Sequence, residues 1–330
     1  MKRFKKILLV VEPDAKQQIA VDRAVALVRQ NEAELTVMTV VKGLPADCRM
    51  AITVMSPQEL LARVIDDSRE KTDALVAKMG KQGIYAKTQV MNGTPFLEVI
   101  RQVLRDKHDL VILAAEGKGG LKDRVFGSTS MHLMRKCPCP VWVVKTAKRA
   151  RYKQILAAVD ATSDSPSDRE QESLNRLILK LASSLAKMDN SELRVVQVWS
   201  VFGEDYLNVR GGSGEQSIRN LRKKKKREYA EKLDSLLAGV DLDGIAVHKH
   251  LPRADNVAKA ILKLSKSKNV DLLVMGTVCR TGIPGFFIGN TAEKVLGQAD
   301  CSVLTVKPEA FVTPVTLETS RVLPAGSNGS

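Results

Sequence analysis

Asp109-Leu110-Val111-Ile112-Leu113-Ala114 and, 162 residues on, Asp271-Leu272-Leu273-Val274-Met275-Gly276 are one stretch written twice. Each is an aspartate followed by an unbroken apolar run. Such a run is short for a helix and lacks polar alternation, which suits a strand buried on both faces of a parallel sheet. The same offset returns further along, where Val141-Trp142-Val143-Val144-Lys145 recurs as Val303-Leu304-Thr305-Val306-Lys307. Nearer the start, Lys6-Ile7-Leu8-Leu9-Val10-Val11-Glu12 recurs as Gln154-Ile155-Leu156-Ala157-Ala158-Val159-Asp160, at an offset of 148. The same elements in the same order mean an internal duplication, with 14 extra residues inside the second copy. The expected place for them is Ser200 to Gln216, which holds the turn-prone Gly211-Gly212-Ser213-Gly214. A chain of 330 residues exceeds one ordinary domain and fits two of about 150.

Within each copy the apolar runs alternate with longer amphipathic stretches, the pattern of repeated βαβ units. In the first copy strands are expected near 6–11, 34–40, 85–90, 109–114 and 140–145, with helices over 14–30, 57–82, 94–106 and 127–135. The second copy follows with helices near 168–187, 217–239, 254–266 and 289–297. The fold class is therefore α/β: two tandem, doubly wound, five-stranded parallel-sheet domains over 1–147 and 148–308. Residues 309–330, rich in Pro, Ser, Thr and Gly, are expected to form a flexible tail.

Composition agrees with two packed cores. Hydrophobic residues make up 44% and charged residues 27%, while only 4% is aromatic, so Val, Leu, Ile and Ala must fill the interior. The start has a basic cluster and then five apolar residues, too few for a leader peptide. No stretch approaches the roughly 18 apolar residues of a membrane span, and the reading is a cytoplasmic protein. The five cysteines are odd in number and do not form a secreted disulfide framework. Cys137-Pro138-Cys139 with nearby His132 lacks a clear fourth ligand, so no metal site is expected.

In open sheets of this kind, ligands bind beyond the carboxyl ends of the strands where strand order reverses. The loop after the fourth strand reads Ala114-Ala115-Glu116-Gly117, nine residues, then Gly127-Ser128-Thr129. Its counterpart reads Gly276-Thr277-Val278-Cys279, nine residues, then Gly289-Asn290-Thr291. A glycine lets backbone amides approach a phosphate, and Gly127 opens a helix whose first N–H groups attract an anion. Ser128 and Thr129 add hydroxyl donors. The alternative is that these glycines only make tight turns ahead of a helix. No phosphate loop of the Gly-Lys-Ser/Thr type, zinc-protease motif or nucleophile elbow is present. Of four histidines, His248 and His250 share one strand face, which makes no acid–base pair. No catalytic residue is expected, and enzymatic activity has no support beyond slow ATP hydrolysis.

This loop pattern resembles the universal stress protein family, whose nucleotide-binding members carry Gly, two residues, Gly, nine residues, Gly-Ser/Thr. The resemblance covers nearly the whole chain, twice, and includes Ser130 to Pro138 leading into Val141–Lys145. It implies a stress-response protein with a fold like that of the adenine-nucleotide alpha hydrolases. It also implies that the chain binds ATP, with Mg, or a related nucleotide or phosphorylated ligand. By the same resemblance the acid ending the first strand, Glu12 or Asp160, faces the base and ribose end. Both copies depart from the pattern: the first has Ala114 at the first glycine and Glu12 for Asp, the second Cys279 at the second glycine and Asn290 for Ser/Thr. The first copy is the better cradle.

Two further expectations concern partners. The net charge is +15, and Arg222-Lys223-Lys224-Lys225-Lys226-Arg227 goes all round a helix, so it is mostly solvated. Weak contact with a polyanion through this run, nucleic acid or anionic membrane, is the alternative function. The strands Val141–Lys145 and Val303–Lys307 are apolar, proline-free and placed at sheet edges, where open backbone groups invite another strand. Single-domain members of the family pair these edges in dimers. Here the six residues Thr146 to Arg151 span only about 20 Å, so the two edges are expected to pair within one chain as a pseudo-dimer, monomeric in solution.

Overall fold

The computed structural model describes residues 3–12, 15, 17–43, 56–115, 126–145, 151–161, 168–201, 214–277 and 288–317. The first half runs β1 (Lys6–Val10), α1 (Gln18–Asn31), β2 (Glu34–Val41), α2 (Pro57–Gly80), β3 (Ala86–Asn92), α3 (Pro95–Asp106), β4 (Leu110–Ala114), α4 (Ser128–Lys136) and β5 (Val141–Val144). The second half repeats the series as β6 (Gln154–Ala158), α5 (Asp168–Asp189), β7 (Glu192–Val196), α6 (Gly214–Ala238), β8 (Val247–His250), α7 (Val257–Ser267), β9 (Leu272–Gly276), α8 (Asn290–Leu296) and β10 (Ser302–Val306). Local chemistry marks the helix ends. At α2, Ser56 Oγ accepts the Glu59 N–H at 3.2 Å while Glu59 Oε2 accepts the Ser56 N–H at 2.9 Å, a reciprocal cap reinforced by Pro57.

The strand order is β3-β2-β1-β4-β5-β10-β9-β6-β7-β8. Each half is thus a parallel five-stranded sheet in which β1 lies between β2 and β4, or β6 between β7 and β9. The halves meet along β5 and β10, which run antiparallel with Leu304 opposite Trp142 and Val303 opposite Val143. The two sheets therefore form one ten-stranded sheet, and the edge backbone groups of each find partners in the other.

Side chains alternate across this sheet. Ile7 and Leu9 join a core with α1, α2, α5 and α6, whereas Leu8 joins the opposite core with α3, α4, α7 and α8. Both cores run through the seam: Trp142 and Leu304 belong to the first, Val143 and Val303 to the second. The aspartates that open the repeated stretch have one task in both halves. Asp109 accepts the backbone N–H groups of Lys5 and Lys6 at 2.6 and 3.1 Å, and Asp271 accepts those of Lys153 and Gln154 at 2.8 and 3.0 Å. Each ties the start of β4 or β9 to the start of the neighbouring strand.

The C-terminal segment expected to be loose begins packed: Val315 is 9% exposed and joins the second core, and the Phe311 ring lies 5.2 Å from Lys307 Nζ. Residues 318–330, and the expected insertion over most of 200–216, lie outside the described residues.

Candidate functional site

The strand order reverses direction at β1 and β4, and their ladder ends at the pair Val10–Leu113. Beyond it the backbone hydrogen bonds lead apart: the Val11 N–H goes to Met38 O on β2 at 2.9 Å, the Ala115 N–H to Val144 O on β5 at 2.8 Å. Such a divergence at the carboxyl ends of two strands is where open sheets of this kind bind ligands, and here Glu12 follows β1 and Ala114 ends β4. Glu12 is exposed, its N–H held by Gln17 Oε1 at 2.9 Å. Gly117 lies outside the described residues.

Gly127 caps α4 with φ −65° and ψ 168°, and no side chain caps the helix there. Any residue adopts that backbone, so no turn requires a glycine there. Ser128 is exposed and Thr129 half-buried. Ser130, which the motif does not mark, is fully buried in the same first turn, and its Oγ has no hydrogen-bond partner among the described residues.

The second half diverges in the same way, with the Val159 N–H bound to Val196 O at 3.1 Å and the Thr277 N–H to Val306 O at 3.2 Å. Its details differ. A Cβ on Gly276 would lie 2.9 Å from Leu174 Cδ2 on α5, which gives this glycine a packing reason. The Gly289 N–H is taken by Thr277 O at 2.9 Å. Asn290 is exposed, Thr291 is half-buried, and α8 is only seven residues long. Asp160 is pinned by Asn175, which accepts its N–H at 3.0 Å and donates to its carbonyl at 2.7 Å. Asp160 opens on a cleft of about 350 Å³ between α5 and α6, lined by Glu172, Arg176, Glu228 and Lys232 among others; none of Gly276, Gly289, Asn290 and Thr291 lines it. Asn175 had no signal in the loop motif, because it acts from α5, fifteen residues beyond Asp160.

His248 lies 3.2 Å from Glu192, and His250 contacts Arg194 at 3.4 Å, both at the surface of β8 rather than in a crevice. Among the described residues no group of three or more His, Cys, Asp or Glu is arranged to hold a metal. No helix among them is long and apolar enough to cross a membrane. Of the basic run, Lys225 and Arg227 pair with Glu228 and Glu231 of their own helix, while Lys223, Lys224 and Lys226 are exposed.

A doubly wound parallel sheet, built twice in one chain with a reversal of strand order in each half, defines a tandem α/β protein. The chain belongs to the universal stress protein family, whose model matches residues 3–145 and again 151–307. It is similar to universal stress protein E of Escherichia coli strain K12, at 28% identity over 324 residues that cover 96% of this chain and 98% of that protein. A universal stress protein E homolog of Haemophilus influenzae is 24% identical over 93% of this chain and 98% of its own length. In fold it is similar to a putative universal stress protein of Pseudomonas aeruginosa UCBPP-PA14, with TM-score 0.64 and 23% identity over 93% of this chain and 95% of that one. The chain is thus a stress-response protein of the tandem type.

Proposed function

We propose that the chain binds ATP, or a related nucleotide or phosphorylated ligand, at the crevice of the first half. The observation that carries this reading is the juxtaposition of the β1–β4 order reversal with the uncapped start of α4 at Gly127. There the first N–H groups and the hydroxyls of Ser128 and Thr129 meet an anion, with Gly117 the further glycine of the sequence motif, and Glu12 faces the ribose end. Mg²⁺ suits the donor set only as a companion of the phosphates, since Glu12 is the one acid of the proposed set and Mg²⁺ takes one or two carboxylates plus phosphate oxygens. The second half, at Asp160, Gly276 and Gly289-Asn290-Thr291, is the weaker candidate, because the Gly289 amide is already bonded and Leu174 packs closely over Gly276. Titration calorimetry with ATP and Mg²⁺ tests the reading. Gly127→Asp places a carboxylate where the phosphate sits and should weaken binding by roughly tenfold or more, about 1.4 kcal/mol. No heat at millimolar ATP removes the first half as a nucleotide site.

The exposed Lys223, Lys224 and Lys226 favour a second reading, a polyanion contact on α6. Such binding weakens steeply with salt and loses several units of salt slope when residues 222–227 are neutralised. Equal binding by the neutralised variant rules it out.

A further inference from the structure

Lys307 follows β10, and the antiparallel register carries it across the seam to the turn that precedes β5. The residue is 4% exposed, and its Nζ donates to Met134 O of α4 at 3.0 Å. In that turn Cys137 is fully buried, Cys139 is 9% exposed, and their sulfurs lie 3.6 Å apart. A buried ammonium needs a counter-charge, and the charges that act on Lys307 are those of the two cysteines. Burial pushes Lys307 down to about 8, against the opposing pull of both sulfurs. Burial alone raises the Cys137 thiol, but the Cys139 hydrogen bond and the Lys307 ammonium outweigh it and hold Cys137 below the ordinary thiol range. The Cys137 hydrogen bond, followed by burial, holds Cys139 well above that range. One sulfur is thus suited to attack and the other to follow as a thiol.

The duplication supplies an internal comparison. The 162-residue offset makes Ala299 and Cys301 the counterparts of Cys137 and Cys139, and Lys145 the counterpart of Lys307. Lys145 is equally buried, but its Nζ lies over the Phe126 ring at 4.7 Å, and Cys301 contacts Ser265 Oγ at 3.6 Å. The corresponding turn of the second half, at Ala299 and Cys301, has one thiol without the neighbouring second.

We propose that Cys137 and Cys139 are a hydroperoxide-reactive dithiol, converted to a disulfide and governed by Lys307 reaching over from the other half of the chain. The Cys137 thiolate attacks one peroxide oxygen, forming an S–O bond as the O–O bond breaks and hydroxide leaves. The Cys139 thiol then attacks the sulfenic sulfur; the S–S bond forms, the S–O bond breaks, and the departing oxygen leaves with the Cys139 proton as water. Two electrons pass from the sulfurs to the peroxide. The sulfurs must close from 3.6 Å to the roughly 2.05 Å of a disulfide. Oxidation removes the thiolate charge that acts on Lys307, so the change is felt at the seam between the halves.

The full-length reduced protein, treated at neutral pH with a slight excess of hydrogen peroxide, alkylated and digested with trypsin, tests this. The peptide Cys137–Lys145 should become lighter by two hydrogens and resist alkylation until dithiothreitol is added, while Cys301 remains alkylated. Lys307→Met should slow the step about tenfold or more, since each unit of thiol pKa is tenfold in thiolate, and Lys307→Arg should retain most of the rate. Oxidation of Cys301 as fast as the pair, sulfinic acid in place of the disulfide, or a wild-type rate in a folded Lys307→Met protein overturns the proposal. If Lys307→Met fails to fold, the comparison of the two wild-type peptides decides alone.

Discussion

Arg23 of the first half and Asp189 of the second form an ion pair, Nη1 to Oδ2 at 2.6 Å, with the side chains 2% and 4% exposed. The guanidinium also stacks 3.7 Å from the Tyr152 ring and faces Trp142 at 5.7 Å, while Asp189 Oδ2 accepts the Tyr152 N–H at 3.0 Å. A charge so deeply enclosed is expensive to leave alone. Asp189→Ala should destabilise the chain by about 3–5 kcal/mol, and replacing both partners by apolar residues of similar volume should recover most of that. Guanidinium denaturation of the single and double variants measures it; equal losses in both would mean that the packing, not the stranded charge, dominates.

Gly276 distinguishes packing from ligand binding in the second half. Leu174 Cδ2 is the far end of a side chain, so Gly276→Ala should cost little, whereas Gly276→Val should cost about 1–3 kcal/mol by overpacking. Leu174→Ala added to Gly276→Val should restore part of the loss. Thermal unfolding gives the numbers, and a Gly276→Val protein of unchanged stability speaks against the close approach.

His108 lies buried, its ring nitrogens 3.3 Å from Gln102 O and 3.2 Å from Thr36 Oγ1. Burial holds it below its ordinary value of 6.5, with the Gln102 carbonyl pulling the other way. As the pH falls below about 6.5 the unfolded chain takes up the proton before the folded one, so this group's contribution to stability is lost on acidification. The drop in melting temperature between pH 7 and pH 5 should be smaller in His108→Gln. An unchanged drop would assign the acid sensitivity to other groups, His132 and His250 first, which burial lowers as well.

With β5 and β10 paired to each other, the full chain should scatter light as a monomer of 36.2 kDa. Residues 1–147 expressed alone expose the β5 edge and should self-associate through it. An isolated first half that stays monomeric at high concentration counts against edge pairing as the reason the halves adhere.

The sequence alone determined the repeated architecture. Continuous apolar runs such as Leu110–Leu113 can satisfy burial on both faces only inside a parallel sheet, and an offset of 162 shows that the chain does this twice. Asp109 and Asp271 stood out as repeated, but that they bind the starts of neighbouring strands was settled by which strands become neighbours. Tertiary structure alone decided three further things. Gly276, identical in motif to a phosphate-loop glycine, packs against Leu174, because helix approach depends on the distance between α5 and β9 rather than on residue spacing. Arg23 meets Asp189, 166 residues away, and Lys307 reaches Met134 O of α4, because antiparallel pairing of β5 with β10 reverses one half against the other. Local patterns record which backbone each segment prefers; a long-range contact between charged or nucleophilic side chains has no period in sequence, and exists only once the seam has closed.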